Sequence, residues 1–202
     1  MTLAAKEATV DGQTDYWTTF YCGGAGFTFD EGENACAYTA TVSGETITLH
    51  MLGRVIPKNT AVIIVSEDES IGMTVSSATV ADMPQNDLHS VDMATPLSEV
   101  KTSYGADAIL MLSNKNGNFG FHELATTNVP ARKAFLAIDD PDPSRQFTMV
   151  FEDATGIKDI EHETLNIEHY DGAWYSLDGR RLNGKPTAKG VYVKNGKKVV
   201  IK

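Results

Sequence analysis

A repeated sequence motif constrains the fold of this chain more than any other feature of the sequence. In its fullest copy, residues 108–138, an apolar run leads to a turn at Gly117, a second strand follows, and Pro130 introduces a third. An earlier copy has its turn at Gly44 and its proline at Pro57, so the spacing from turn to proline is the same. Short apolar runs bounded by Gly, Asn and Pro are typical of β-strands joined by tight turns. The repeat therefore predicts recurrent β-architecture.

A third and shorter copy lies near the C-terminus, where Pro186 leads to an apolar strand that begins at Gly190. This strand is followed by Asn195-Gly196 and then by a further apolar run. A type I′ turn needs positive φ at both central residues, which Asn and Gly adopt readily. The pattern predicts a β-hairpin at the end of the chain.

The first two copies differ in the phase of their second strand. When the prolines are aligned, the positions of Ile47 and Leu49 are shifted by one residue from those of Phe119 and Phe121. Side chains alternate between the two faces of a strand, so only a β-bulge would reconcile the two copies.

The rest of the chain is also patterned as strands. Strand-like runs recur about every 8–12 residues, and no apolar face persists at helical spacing, which is the pattern of a sandwich or barrel. We predict an all-β fold, namely an antiparallel β-sandwich with repeated hairpins over residues 1–153. A polar linker over 154–172 and a C-terminal β-hairpin module over 173–202 follow. Residues 78–100 are expected to form a long loop with a brief strand or helical turn at 88–91.

The net charge of −10 is unevenly distributed along the chain. Residues 174–202 carry eight Lys and Arg against one Asp, a charge of +7, so the remaining 173 residues carry −17. An acidic body argues against nucleic acid as its partner. No apolar run approaches the roughly 20 residues of a membrane-spanning helix. The first residues lack the apolar region of a secretory signal, which is either absent or removed.

The C-terminal sequence resembles the ending of secreted and cell-surface proteins of the Bacteroidetes lineage. In that ending, a tyrosine strand, a Gly-Arg turn, a Gly-aromatic strand and an Asn-Gly-Lys-Lys turn precede apolar residues and a terminal lysine. The positions that carry the resemblance are Trp174, Tyr175, Gly179, Arg180, Gly190, Tyr192, Asn195, Gly196 and Lys197. The upstream stretches AYTATVSGETITL and GFHELATTNVPARKAFLAI are similar to the β-domain that often precedes this ending.

The resemblance implies export, a β-sandwich and a non-catalytic role. The tail is also similar to C-terminal domains that sort proteins across the outer membrane. We therefore expect a secreted or cell-surface structural or adhesion-type module that is not an enzyme, with a tail that sorts, anchors or caps it. Cell-envelope components, glycans or other surface proteins are the expected partners. The alternative is a carbohydrate-binding module of a surface glycan-handling protein.

The chain shows no recognisable catalytic, cofactor or metal motif. His162 lacks the second histidine of HExxH, and together with His169 it lies in a stretch that is more typical of a solvated acidic linker than of a zinc site. The acidic turns at 67–69 and 139–142 lack the spacing and glycine of a calcium-binding loop. We predict no catalytic residue, no metal and no cofactor.

Two cysteines, Cys22 and Cys36, lie at the ends of neighbouring strand candidates. In an exported protein they could form a disulfide that closes a loop of about fifteen residues and adds about 3 kcal/mol of stability. Two free thiols are the alternative.

An aromatic run, residues 16–21, offers candidates for a glycan platform. Aromatic rings present flat apolar faces on which sugars stack, and Trp17 and Tyr21 are the candidates here. Because alternation sends neighbours to opposite faces, half of the aromatic set is expected in the core.

Overall fold

The computed structural model describes residues 1–10, 13–139 and 146–152, and the backbone of four strands between 174 and 201. The chain forms two compact units, Met1–Ala154 and Thr155–Lys202, which we call the body and the tail unit. The predicted linker, 154–172, lies outside the described residues.

The described part of the body consists of strands and one helix. In chain order they are β1 (Thr2–Ala4), β2 (Lys6–Val10), β3 (Gln13–Phe20), β4 (Gly26–Phe29), β5 (Ala35–Ser43), β6 (Thr46–Gly53), β7 (Val55–Ile56), β8 (Val62–Ser66), β9 (Ser70–Ser76), β10 (Leu88–His89), β11 (Thr95–Pro96), α1 (Leu97–Tyr104), β12 (Ala108–Lys115), β13 (Asn118–Glu123), β14 (Asn128–Val129), β15 (Phe135–Ile138) and β16 (Thr148–Phe151). The predicted all-β class is confirmed.

The body is a stack of three sheets rather than the two of a simple sandwich. A central six-stranded sheet, β16-β6-β5-β8-β3-β2, lies between the sheets β1-β9-β4-β7 and β10-β15-β12-β13. One buried cluster fills each space between neighbouring sheets. Adjacent strands are antiparallel except for β16, which pairs with β6 in parallel.

The sequence repeat is a structural repeat. In the first copy β6, β5, β8 and β3 are neighbours in that order, and in the second copy β13, β12, β15 and β10 take the same places. The short pairs β4/β7 and β11/β14 also correspond. In each copy, the strand after the proline returns to pair with the first strand of the hairpin.

The strand after each proline shows why the two copies fold alike. Ala61 and Ile63 of the first copy meet Ala134 and Leu136 of the second in the shared cluster between the sheets. Val62 and Phe135, which lie between these residues in the two strands, point to the opposite face, as the alternation of a strand requires. Each packs in an outer cluster of its own copy. The residue two positions after the proline has a φ of 59° in both copies, at Asn59 and Arg132.

The phase difference between the copies coincides with an irregularity in the first hairpin. The register of β5 against β6 shifts between Ala37 and Tyr38, whose partners are Gly53 and Met51. Gly53 has a φ of 96°, a conformation that glycine adopts without steric cost. Leu52, between these two partners, has no partner on β5 and is the extra residue of the bulge that the phase difference requires.

Residues 85–87, which lie between the two copies in the sequence, cover a part of β5 that has no strand partner. Pairing of β5 with β8 ends at Tyr38, and beyond this residue 85–87 take the place of β8. The Asn86 side chain accepts from the backbone of Ala40 (3.3 Å) and Leu88 (3.1 Å) and donates to the carbonyl of Ala61 (2.9 Å). Backbone groups that would otherwise lack partners are thus paired.

A short helix, α1, follows in the region expected to be a long loop. Leu97 and Val100 face the outer cluster of the second copy, with Val100 buried. The helix ends at Gly105, whose φ of 62° is the left-handed conformation that closes many helices. Eight residues are too few to show a sustained helical period, so no clear pattern predicts this helix. The strand at 88–89 agrees with the expected short strand.

The tail unit has its own four-stranded sheet, formed by β17 (Trp174–Ser176), β18 (Arg181–Leu182), β19 (Gly190–Lys194) and β20 (Lys197–Ile201) in the order β18-β17-β19-β20. The strand after Pro186 returns to pair with the first strand, as in the other two copies. Strands β19 and β20 are antiparallel with Lys194 opposite Lys197, as expected for the terminal hairpin, although Asn195 and Gly196 lie outside the described residues.

Candidate functional site

A cleft of about 480 Å³ lies between the central sheet and the hairpin of the second copy. We call it the Lys6–Lys133 cleft. The residues that line it are Ala4, Lys6, Glu7, Trp17, Thr18, Thr19, Met111, Leu112, Ser113, Asn114, Phe119 and Lys133. Its volume is typical of small-molecule sites.

The local strand pairing places Lys133 at this cleft. Strand β2 pairs with β3 only as far as Lys6 opposite Trp17, so Thr18 and Thr19 have no β2 partner. The Lys133 ammonium, from the loop before β15, donates to the Thr18 hydroxyl and to the Thr19 carbonyl, both at 3.2 Å. Lys133 thereby links the second copy to the first.

The cleft concentrates positive charge. Burial lowers the pKa of the Lys133 ammonium, and the charge of Lys6 lowers it further. Lys6 lies directly opposite Trp17, so the two side chains share a face of the sheet. Glu7 is the one carboxylate among the described lining residues, and it lies opposite Tyr16, whose side chain packs in the other cluster. Alternation therefore directs the Glu7 side chain to the far face.

Trp17 supplies a buried donor to this region. Its side chain is 2% exposed, and its ring lies 5.5 Å from Phe119 and 5.9 Å from Phe151, measured between centroids. Its Nε1–H has no hydrogen-bond partner among the described residues. A buried donor without an acceptor costs about 1–3 kcal/mol.

A second, more open cleft of about 520 Å³ lies beside Cys36 and Tyr38. Its carboxylates include Asp15, Glu33 and Glu67. Burial and contact with Cys36 raise the pKa of the Tyr38 hydroxyl, which stays protonated at neutral pH. The Arg54 guanidinium donates to the backbone carbonyls of Glu33 (2.5 Å) and Asp30 (2.7 Å), so it ties down the acidic turn.

A third polar group is a chain of hydrogen bonds through His50. The Thr41 hydroxyl lies 2.7 Å from His50 Nε2, and His50 Nδ1 lies 2.5 Å from a Glu152 carboxylate oxygen. The Glu152 side chain is 57% exposed. The arrangement links β5, β6 and the end of β16, so it fastens the parallel edge strand to the sheet.

The predicted aromatic platform is wrong for Trp17. Its ring is buried between sheets and offers no face for stacking. Tyr16 and Phe20 pack in the cluster on the opposite side of the sheet, as alternation predicts. Tyr21 is partly buried against the shared cluster, and burial, together with Asp92, raises the pKa of its hydroxyl. The four rings form no exposed plane.

The candidate disulfide does not form, because Cys22 and Cys36 lie on opposite faces of the central sheet. Both cysteines are free thiols. Cys22 packs in the cluster beneath β4 and β9, to which Ala35 and Ala37 also belong. Cys36 alternates with these two alanines, so it points to the other face. A disulfide requires Cβ atoms about 3.5–4.5 Å apart, which two faces of one sheet do not provide.

The remaining candidates are placed as follows. Among the described residues, no three His, Cys, Asp or Glu side chains converge as a metal site would require, and Glu67 instead accepts from Asn34 at 2.8 Å. His122 lies on β13, with Nε2 2.9 Å from the Asn118 carbonyl. His162 and His169 lie outside the described residues. No helix in the described chain is long and apolar enough to cross a membrane.

The tail motif is divided between described and undescribed positions. Trp174 and Tyr175 lie on β17, Gly190 and Tyr192 on β19, and Lys197 on β20. Gly179 and Arg180, like Asn195 and Gly196, lie outside the described residues.

The residues that the sequence did not identify are Lys6 and Lys133. They are separated by more than 120 positions, so no local spacing could pair them. The one available signal was the alignment of the two repeats, in which Lys133 takes the place of Thr60.

The fold and these sites define the class of protein only as an all-β body with internal repeats and a separate β-tail. Comparison with protein-family models, with curated proteins and with solved structures gave no match to the chain.

Proposed function

We propose that this protein is a non-catalytic module of an exported or cell-surface protein, with a structural or adhesion-type body and a tail unit that sorts or anchors it. The observation that carries the proposal is the tail unit. It is compact, its four strands pair only with one another in the described residues, and its sequence resembles the terminal motif described above.

The charge distribution supports a separate role for the tail. Residues 174–202 carry +7 and the rest of the chain −17. A basic segment is attracted to anionic envelope surfaces, whereas an acidic body is repelled by them. Residues 174–202 and the acidic remainder of the chain thus favour different surroundings.

Protease shaving of intact native cells tests the proposal. The full chain and a version that ends at Asp171 are compared, after circular dichroism has shown that the shorter version folds. We expect the full chain to be cleaved at the surface and the shorter version to stay protected inside. If both are cleaved, the tail is a structural cap; if neither is, the proposal of surface exposure fails.

The second candidate is a carbohydrate-binding module of a surface glycan-handling protein. The observation that favours it is the Lys6–Lys133 cleft, which combines the partly exposed ring of Phe119 with polar groups of Ser113 and Asn114. A glycan array probed with the full chain tests it. Binding that is lost in Lys133→Gln supports this candidate, and an array without signal contradicts it.

A further inference from the structure

We propose that the outer edge of strand β13 is an interface at which a second copy of this chain binds. The two β13 strands lie antiparallel about a two-fold axis at Phe121 and join their sheets into one. Pairing at this edge depends neither on the role of the tail unit nor on sugar binding in the Lys6–Lys133 cleft.

The backbone of β13 presents unpaired hydrogen-bonding groups along its outer edge. A two-residue turn joins Lys115 to Asn118, so this pair is hydrogen-bonded, and hydrogen bonds to β12 recur at every second residue of β13. The N–H and C=O groups of Phe119, Phe121 and Glu123 therefore point away from β12. In the part of the chain that the structure describes, none of these groups has a hydrogen-bond partner. They are a template on which a further strand can pair.

The other described edges of the three stacked sheets have features that discourage such pairing. Strands β1, β7 and β10 have two or three residues, and β16 has four. Strand β2 is longer but carries Lys6 and Glu7. Short edge strands and charged side chains prevent edge-to-edge association. Strand β13 has six residues, and its one formally charged side chain, Glu123 at its end, pairs with Lys101 at 3.6 Å.

The first copy of the repeat shows that a strand can occupy this position. Strand β6 corresponds to β13, and its outer edge pairs with β16, whose Met149 is buried in the shared cluster. No described strand pairs with the equivalent edge of β13. Strand β2 packs on the face of β13 that carries Phe119 and Phe121, and it forms no ladder with that strand.

A second β13 is the occupant that satisfies all of these backbone groups. With Phe121 opposite its equivalent, Phe119 of each copy lies opposite Glu123 of the other copy. The three residues with outward N–H and C=O groups therefore face one another, and each opposed pair exchanges both hydrogen bonds. A contact of this kind uses the same surface on both copies, so it closes as a dimer and does not extend into a fibre.

Amide hydrogen exchange in the ¹⁵N-labelled full chain tests this pairing residue by residue. Samples are prepared below and well above the dimer dissociation constant, which sedimentation equilibrium measures. The amides of Phe119, Phe121 and Glu123 should exchange at least about tenfold more slowly in the dimer, because their N–H groups become hydrogen-bonded. The amides of Gly120 and His122 are the matched control, since they bond to β12 and should be protected at both concentrations.

Two variants of Phe119 separate the backbone edge from the aromatic ring. Phe119→Pro and Phe119→Val both remove the partly exposed ring, but only proline removes the outward N–H. Proline is tolerated on an edge strand where the N–H faces solvent. The dimer then loses one hydrogen bond from each copy, so Phe119→Pro should weaken dimerisation about ten- to a hundredfold relative to Phe119→Val. Circular dichroism verifies that both variants keep their strands.

Three results would overturn the inference. The first is a full chain that sediments as a monomer at every concentration up to its solubility limit. The second is a dimer in which the amides of Phe119, Phe121 and Glu123 exchange as fast as in the monomer, since the contact then lies elsewhere. The third is equal dimerisation of Phe119→Pro and Phe119→Val. If Phe119→Pro does not fold, amide exchange in the unchanged chain decides alone.

Discussion

The two copies of the repeat share their strand order and differ in what covers their outer faces. The outer face of the first copy packs against a four-stranded sheet, with Val62 and Ile64 in that cluster. The outer face of the second packs against α1 and the short β11/β14 pair, with Phe135 in the corresponding place. The inward faces meet in one cluster. The repeated sequence therefore determines the shared core, whereas the elements that cover the outer face differ between the two copies.

The loops after the prolines show the same contrast on a smaller scale. In the first copy, the Thr60 hydroxyl donates within its own loop to the Lys58 carbonyl at 3.4 Å. In the second, Lys133 takes the equivalent place and reaches across to β3 of the first copy. The charge that Lys133 brings to the cleft thus lies at a position where the two copies differ.

The largest expected effect concerns the outer clusters. Phe135→Ala should lower the free energy of unfolding by about 3–5 kcal/mol, because it empties a fully buried site. Val62→Ala, the equivalent change in the first copy, should cost about 1.5–3 kcal/mol, since fewer carbons are removed. Urea unfolding of both variants measures the difference. An equal or larger loss for Val62→Ala would contradict the described packing of the second copy.

The next effect concerns residues 85–87, in the segment that joins the two copies. Asn86→Ala should cost about 1–3 kcal/mol, because it leaves the Ala61 carbonyl and the Ala40 amide without their partner. Gln85→Ala is the neighbouring control, since only the backbone carbonyl of Gln85 is used, by the Thr39 hydroxyl. Denaturant unfolding separates the two. A cost below that of Gln85→Ala would show that Asn86 does not hold the copies together.

A smaller effect is expected at the left-handed loop position. Arg132→Gly should raise stability by about 0.5–1 kcal/mol, because a residue with a β-carbon is disfavoured at a φ of 59°. Asn59→Gly should change stability less, since asparagine tolerates this conformation. Thermal unfolding of both variants compares the copies. Destabilisation by Arg132→Gly would mean that its side chain makes a contact that outweighs the strain.

The smallest effect is a pH dependence confined to the second copy. Burial lowers the pKa of His89 from its ordinary value of 6.5, against a weaker opposing effect of Asp87. As pH falls below 6.5, the unfolded chain takes up the proton first, so stability present above 6.5 is lost. His89→Phe, which copies the equivalent Phe20, should reduce this loss between pH 7 and 5. An unchanged pH profile would contradict the burial of His89.

The strands with strong apolar runs and turn residues could be predicted from the sequence, as the hairpin of β12 and β13 with its turn at Gly117 shows. Strands β1 and β2 could not be predicted, since β1 has three residues and pairs with the distant β9, and only two of the five residues of β2 are apolar. Whether the glycan candidate Trp17 is exposed could not be predicted, because local alternation cannot show that a second sheet covers that face. The cleft depended on residues distant in sequence, so only the fold could reveal it.

Transfer of the tail unit to another protein is the most direct test of its sorting or anchoring role. Residues 155–202 are joined to an unrelated reporter domain and expressed in a bacterium of the lineage that the tail resembles, beside the reporter alone. Each carries the same export signal, and surface exposure is measured by protease shaving of intact cells. We predict that the tail-bearing reporter is cleaved at the surface and that the reporter alone remains protected. Equal protection of both would contradict a sorting or anchoring role for the tail.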